Sequence, residues 1–150
     1  MAQDVLALLL CVDDVSPFFV EAGGCDGIYC SNTYLLESHF GWSGIVCEPA
    51  STWHQSLRQT RRCHIDTRAL WGKSGETLQF RETDLPNLST LEDFRDTDMH
   101  ATSRQRGRVY SVESVSLYDL LREHAAPDYI SFLSLDTEGS ELAILESRSE

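Results

Sequence analysis

One pattern recurs along this chain and limits its fold more than any other feature: an apolar run, an acid, then glycine or proline. Pro17-Phe18-Phe19-Val20-Glu21-Ala22 leads into Gly23-Gly24, and Gly44-Ile45-Val46-Cys47 leads into Glu48-Pro49. Tyr129-Ile130-Ser131-Phe132-Leu133-Ser134-Leu135 leads into Asp136-Thr137-Glu138-Gly139. Runs without polar alternation suit strands buried on both faces, as in parallel sheets covered by crossover helices. The intervening segments carry helix signals. Ser31 or Asn32 is a candidate N-cap with Gly41 as stop, and Leu36 and Phe40 share one face. Thr52 and Gln55 have capping-box spacing. Ser116 precedes a face of Leu117, Leu120, Leu121 and His124 that Pro127 ends, and a last helix opens at Ser140. Such alternation predicts an α/β sheet with right-handed crossovers. Cys63 to Trp71 reads as a further strand, turned by Gly72-Lys73-Ser74-Gly75 into a hairpin partner ending near Phe80. From Arg81 to Arg108 the chain is polar and aperiodic, and Val109 to Val115 is a candidate strand.

Composition narrows the partners. The 150 residues contain no internal repeat and fit one domain, residues 18–150 behind a lead-in helix or extension at 1–17. With 24 acidic against 12 basic residues the formal charge is −12, which repels phosphate backbones and anionic headgroups. The clusters Arg58, Arg61, Arg62 and Arg104, Arg106, Arg108 are short, lack interleaved aromatics and read as solvated surface. Neither nucleic acid nor membrane is therefore expected as a partner. The apolar run Val5 to Val12 falls short of the ~20 residues that cross a bilayer. Asp4, Asp13 and Asp14 flank it, unlike the basic flank of a signal peptide, so it reads as a short helix packed on the domain. Cys11, Cys25, Cys30, Cys47 and Cys63 are an odd set without a CxxC pair, which points to a reducing, cytoplasmic setting. His39, His54, His64, His100 and His124 have no ligand spacing, and no metal site is expected.

Ligands of open α/β sheets sit beyond the carboxyl ends of the strands. Here those ends carry Glu21, Glu48 and Asp136. A charge at the tip of a buried strand costs desolvation energy unless it is solvated or paired, so three of them predict a shared polar crevice. Glu21-Ala22-Gly23-Gly24-Cys25-Asp26-Gly27 has the form acid-x-Gly-x-x-x-Gly between a strand and a helix. Glycines there allow positive φ and close approach of a ligand. Glu48 stands where a carboxylate can accept both ribose hydroxyls of a nucleoside. The glycines do not make the Gly-x-Gly-x-x-Gly of dinucleotide enzymes, and Gly72-Lys73-Ser74 lacks the earlier P-loop glycine, because position 67 is Thr67. A methylsulfonium nucleoside without phosphates fits this spacing best.

The segments Phe19 to Gly27, Ser31 to Glu37, Gly41-Trp42-Ser43-Gly44, Glu48-Pro49 and Leu133-Ser134-Leu135-Asp136-Thr137-Glu138-Gly139-Ser140-Glu141 together resemble FkbM-type methyltransferases. The resemblance implies a Rossmann-like class I methyltransferase fold, three layers (αβα) around a mainly parallel sheet. It also implies S-adenosylmethionine as methyl donor and O-methylation of a hydroxyl on a small molecule or glycan. By that likeness Glu21, Gly23 and Gly27 hold the methionine part and Glu48 the ribose. Gly24, Asp26, Asn32 and Asp136 complete the expected cofactor set. Asp136 is the first candidate base or acceptor-orienting group, with Glu138 second. Glu141 reads as charge at a helix N-terminus. Asp66 and Arg68 are the candidates for contact with the adenine. The family implies seven strands, whereas four core strands are counted here. The expectation is thus a chain truncated after its fourth core strand, marginally stable or self-associating as a homodimer through an exposed sheet edge. The alternative is a non-catalytic module that keeps only the cofactor crevice.

Overall fold

The structure is a computed structural model that describes residues 3–94 and 102–146. Helix α1 (Gln3–Leu10) leads into strand β1 (Phe18–Ala22), helix α2 (Tyr34–Phe40) and strand β2 (Ser43–Cys47). A 3-10 turn at Ser51–Trp53 opens helix α3 (His54–Thr60), followed by β3 (His64–Asp66), β4 (Ala69–Trp71), β5 (Thr77–Thr83) and β6 (Thr90–Leu91). Then come β7 (Gly107–Ser116), α4 (Leu117–Glu123), β8 (Phe132–Leu135) and α5 (Glu141–Leu145).

The fold is α/β. Four strands form a parallel sheet in the order β3-β2-β1-β8, so the direction of winding reverses between β1 and β8. Alternation along the strands divides the core. Phe19 and Val46 face Ala7, Leu36 and Leu57 of α1, α2 and α3. Phe18, Val20, Ala22, Ile45 and Cys47 face Leu70, Val115, Leu120 and Ile144 on the other side. Gly44 is required by this packing: it pairs with Phe19, and a Cβ there would stand 2.4 Å from the Phe19 ring. Two local signals act as expected, whereas α2 starts from Thr33 rather than from Ser31 or Asn32, and α3 has no side-chain cap from Thr52. Gly41 closes α2 at φ 70°, and the Ser116 hydroxyl caps α4 by accepting from the Asp119 amide.

The segment 63–71, expected as one strand with a hairpin partner, is two strands in two sheets. The Asp66 carboxylate accepts from the Arg68 amide and bends the chain between them. β4 pairs parallel with β7, while β5 pairs antiparallel with β7 and β6, giving a second sheet of order β4-β7-β5-β6. Its core is Ala50, Ala69, Phe80, Leu91 and Val112. The expected strand at 129–135 is shorter. Tyr129 is exposed, and the Ser131 hydroxyl accepts from the Phe18 amide just ahead of the ladder. Leu133 is also partly exposed, so β8 is not apolar-covered on both faces. No helix among the described residues is long and apolar enough to cross a membrane.

Both arginine clusters read as solvated surface are corrected in part, because Arg61 and Arg104 are buried. Four of the five histidines pack or bond locally: His39 with Ser38, His54 with the Glu48 carbonyl, and His64 ring to ring with His124. His100 lies outside the described residues.

Candidate functional site

The parallel register brings the carboxyl ends of β1, β2 and β8 side by side, and backbone hydrogen bonds join them. The Gly23 amide donates to the Cys47 carbonyl at 3.0 Å, and the Asp136 amide to the Ala22 carbonyl at 3.0 Å. Gly23 has φ +85°, and a Cβ on it would lie 2.0 Å from the Asp136 carbonyl oxygen. Only glycine fits where these two tips touch.

Glu48, at the end of β2, is buried. One carboxylate oxygen accepts from the Cys25 amide in the glycine loop (2.9 Å), the other from the Ala50 amide (2.8 Å). Burial pushes its pKa up to about 7 against the pull of those amides, and the charges of Glu21 and Glu82 add to the rise. Asp136 reaches solvent, and its carboxylate accepts no hydrogen bond among the described residues. Partial burial and then the neighbouring Glu141 charge raise its pKa.

These groups line one slot together with Ala22, Gly23, Cys25, Leu70, Phe80, Asn87, Ser89 and Leu91. It is narrow, with about 40 Å³ free to the centre of a water-sized molecule. Glu138 lines it as well, but its carboxylate is bonded to Arg104, a fully buried cation that also donates to the Leu88 carbonyl at 2.8 Å. The Thr90 hydroxyl donates to the Glu138 carbonyl at 3.0 Å. Residues Asn87, Ser89 and Leu91, from a stretch featureless in sequence, thus line the slot as well.

The remaining expected residues lie outside the slot. Glu21 is buried beneath the glycine loop and faces α2. Its carboxylate accepts from the Ser31 hydroxyl (2.8 Å), the Thr33 hydroxyl (2.6 Å) and the Asn32 amide, with Arg61 at 3.5 Å. Gly24 packs against Val46, and Gly27, at φ +83°, against Leu57 and Thr60. The Asp26 carboxylate accepts from the amides of Ile28 and Tyr29, which shapes the loop. The Asn32 amide nitrogen donates to the Ser134 hydroxyl at 3.0 Å, at a second cleft. Asp66 and Arg68 bond each other, with His124 and Glu123 beside them, and do not line the slot. The Glu141 carboxylate takes the Thr137 and Gly139 amides, a helix-start role that holds its pKa low despite burial.

Sequence reasoning missed Arg61, Arg104 and the wall residues Asn87, Ser89 and Leu91. The partners of the two arginines are far away in the chain, so no local spacing marks them. With this geometry in hand, comparison with known proteins adds one match: residues 21–150 match the methyltransferase FkbM domain. No curated protein and no solved structure matches the chain.

Proposed function

The chain belongs to the FkbM methyltransferase family, and we propose from that premise that it binds S-adenosylmethionine in the slot and methylates a hydroxyl. The observation that carries this reading is Glu48. It is a buried carboxylate at the second strand tip, holding the glycine loop by one oxygen and lining the slot with both Gly23 and Asp136. Its acceptor chemistry fits a ribose diol: an ionised carboxylate accepts two hydroxyls, while Ala22, Leu70 and Phe80 offer apolar surface to a base. The strand order β3-β2-β1-β8, with the crevice at the reversal, supports the Rossmann-like class I reading. We take residues 18–150 as the cofactor domain, with α1 packed on it through Ala7.

When bound, S-adenosylmethionine supplies an electrophilic methyl group. Glu48 orients the ribose, and the Gly23 turn leaves room for close approach of the methionine part. Glu21 acts from below, fixing the 31–33 segment through its hydrogen bonds rather than touching the ligand. Asp136 accepts the proton of the attacking hydroxyl. Its raised pKa suits a base, and its carboxylate has no competing partner among the described residues. Glu138, tied to Arg104, sets the shape of the wall instead. Because the slot is narrow, entry of a nucleoside parts the wall at 87–91.

The test is equilibrium binding of S-adenosylhomocysteine beside NAD. Micromolar binding of the first and none of the second is the expected outcome, and the reverse order removes the reading. Methyl transfer to a hydroxyl panel then separates an enzyme from a module that only binds. β8 stands at an edge of its sheet, and pairing of two copies through that edge is proposed as the route to a homodimer, measurable by sedimentation.

A further inference from the structure

We infer that the methyl acceptor docks in a second cleft on the other side of Asp136, and that it is a sugar without anionic groups; this rests on the cofactor reading above. The cleft is larger than the slot, about 490 Å³ by the same measure. Its walls are the start of α1, the segment 28–32 and Asp136. Asp136 is the single residue that lines both cavities. Group transfer needs donor and nucleophile to meet in line at one point, and a carboxylate open to both cavities marks that point.

The lining defines the ligand. Tyr29 is 86% exposed, a flat apolar ring with a polar end at the cleft wall. Such a ring presents a face to the C–H surface of a pyranose and a hydroxyl to its rim. Asn32 spends its amide nitrogen on Ser134, leaving its carbonyl oxygen without a partner among the described residues. With Asp4 and Asp136 it gives the cleft acceptor groups for hydroxyl or ammonium donors. Among the described residues no Lys, Arg or His lines the cleft, and the chain carries a formal charge of −12. Phosphorylated or carboxylated sugars therefore meet repulsion with no compensating cation. Helix α1, a lead-in by sequence, becomes one wall of the acceptor site.

The experiment is NMR of the Tyr29 ring and the Asn32 side-chain amide in the protein saturated with S-adenosylhomocysteine. The probes are methyl α-fucopyranoside, glucosamine and glucose 6-phosphate. The first two should shift both signals at millimolar concentration, and the phosphate should shift neither. Tyr29→Ala should weaken the two sugars roughly tenfold, the scale of one aromatic contact, while Tyr29→Phe keeps most of the affinity. Homocysteine-nucleoside binding should be the same in all three proteins. If that nucleoside binds but no sugar shifts Tyr29, or if glucose 6-phosphate binds as well as the others, this inference is overturned and the cofactor reading stands. If the sugars shift Tyr29 but the nucleoside fails to bind, the cleft is a sugar site without a methyl donor, and the acceptor role falls together with the cofactor reading.

Discussion

The strand tips and the described residues between β5 and β7 both line one slot, and they are held by different means. At the tips, backbone does the holding. Parallel register aligns β1, β2 and β8, the amides of Gly23 and Asp136 tie neighbouring ends together, and Glu48 is fixed by two amides. Between β5 and β7, side chains do it: Arg104 reaches Glu138 and the Leu88 carbonyl, and Arg81 pairs with Glu92. Tip positions should therefore tolerate most side-chain changes but not a Cβ where backbones touch. The residues between β5 and β7 should behave in the opposite way.

The sharpest way to break that contrast is Gly23→Ala. Positive φ and a Cβ against the Asp136 carbonyl add strain to overpacking, for a loss of ~4 kcal/mol in denaturant unfolding. A change below ~1 kcal/mol would mean that the tips do not meet as described. Next comes Arg104→Met, which removes the buried guanidinium from Glu138 and the Leu88 carbonyl and should cost ~3 kcal/mol. A double-mutant cycle with Glu138→Gln should return a coupling of ~1 kcal/mol or more, whereas additivity would remove the pair as the wall's anchor.

The pH dependence is smaller and has a definite sign. Glu48 has its folded pKa raised from 4.5 to about 7, so the folded chain binds more protons between those values. Its contribution to stability is complete below pH 4.5 and is lost as pH climbs to about 7. Relative to Glu48→Gln, the native protein should lose ~2–3 kcal/mol across that window. Glu82 and Asp66 act in the other direction, because hydrogen bonds outweigh burial and hold both low; their contributions disappear on acidification through the ordinary carboxylate range. The two windows are separate, so a pH series of melts with both proteins resolves Glu48. Smallest of all, Arg122→Ala breaks an exposed pair with Asp119 and an exposed contact with the Tyr118 ring, and should shift the melting temperature by no more than about a degree or two.

The same contrast explains what could be read from sequence. The strands β1 and β2, their acid tips, the Gly41 stop and the Ser116 cap are specified within a few residues, as are the segments that carry the family likeness. The second sheet depends on pairings such as Phe80 with Tyr110, too distant for hydrophobic pattern to reveal. Buried Arg61 is invisible for the same reason, since Glu21, Glu37 and Thr33 meet it only after folding. Within the site, Glu48 and Asp136 were found because strand ends announce themselves. Glu21 carries the same signal, yet the alternation of β1 turns it to the face covered by α2 and α3, and a tip acid cannot be assigned to a face before register is known.

The central claim is that Glu48, ionised, recognises a ribose diol at the tip of β2. Calorimetric titration of S-adenosylhomocysteine at pH 6 and pH 8, on the native protein and on Glu48→Gln, tests it most directly. With an apo pKa of about 7, affinity of the native protein should rise up to about tenfold between the two pH values, with proton release on binding at the lower one. Glu48→Gln should bind more weakly at pH 8, by ~1.5–3 kcal/mol, and lose the pH dependence. Equal affinity of the two proteins at pH 8, with the same flat profile, would contradict the account.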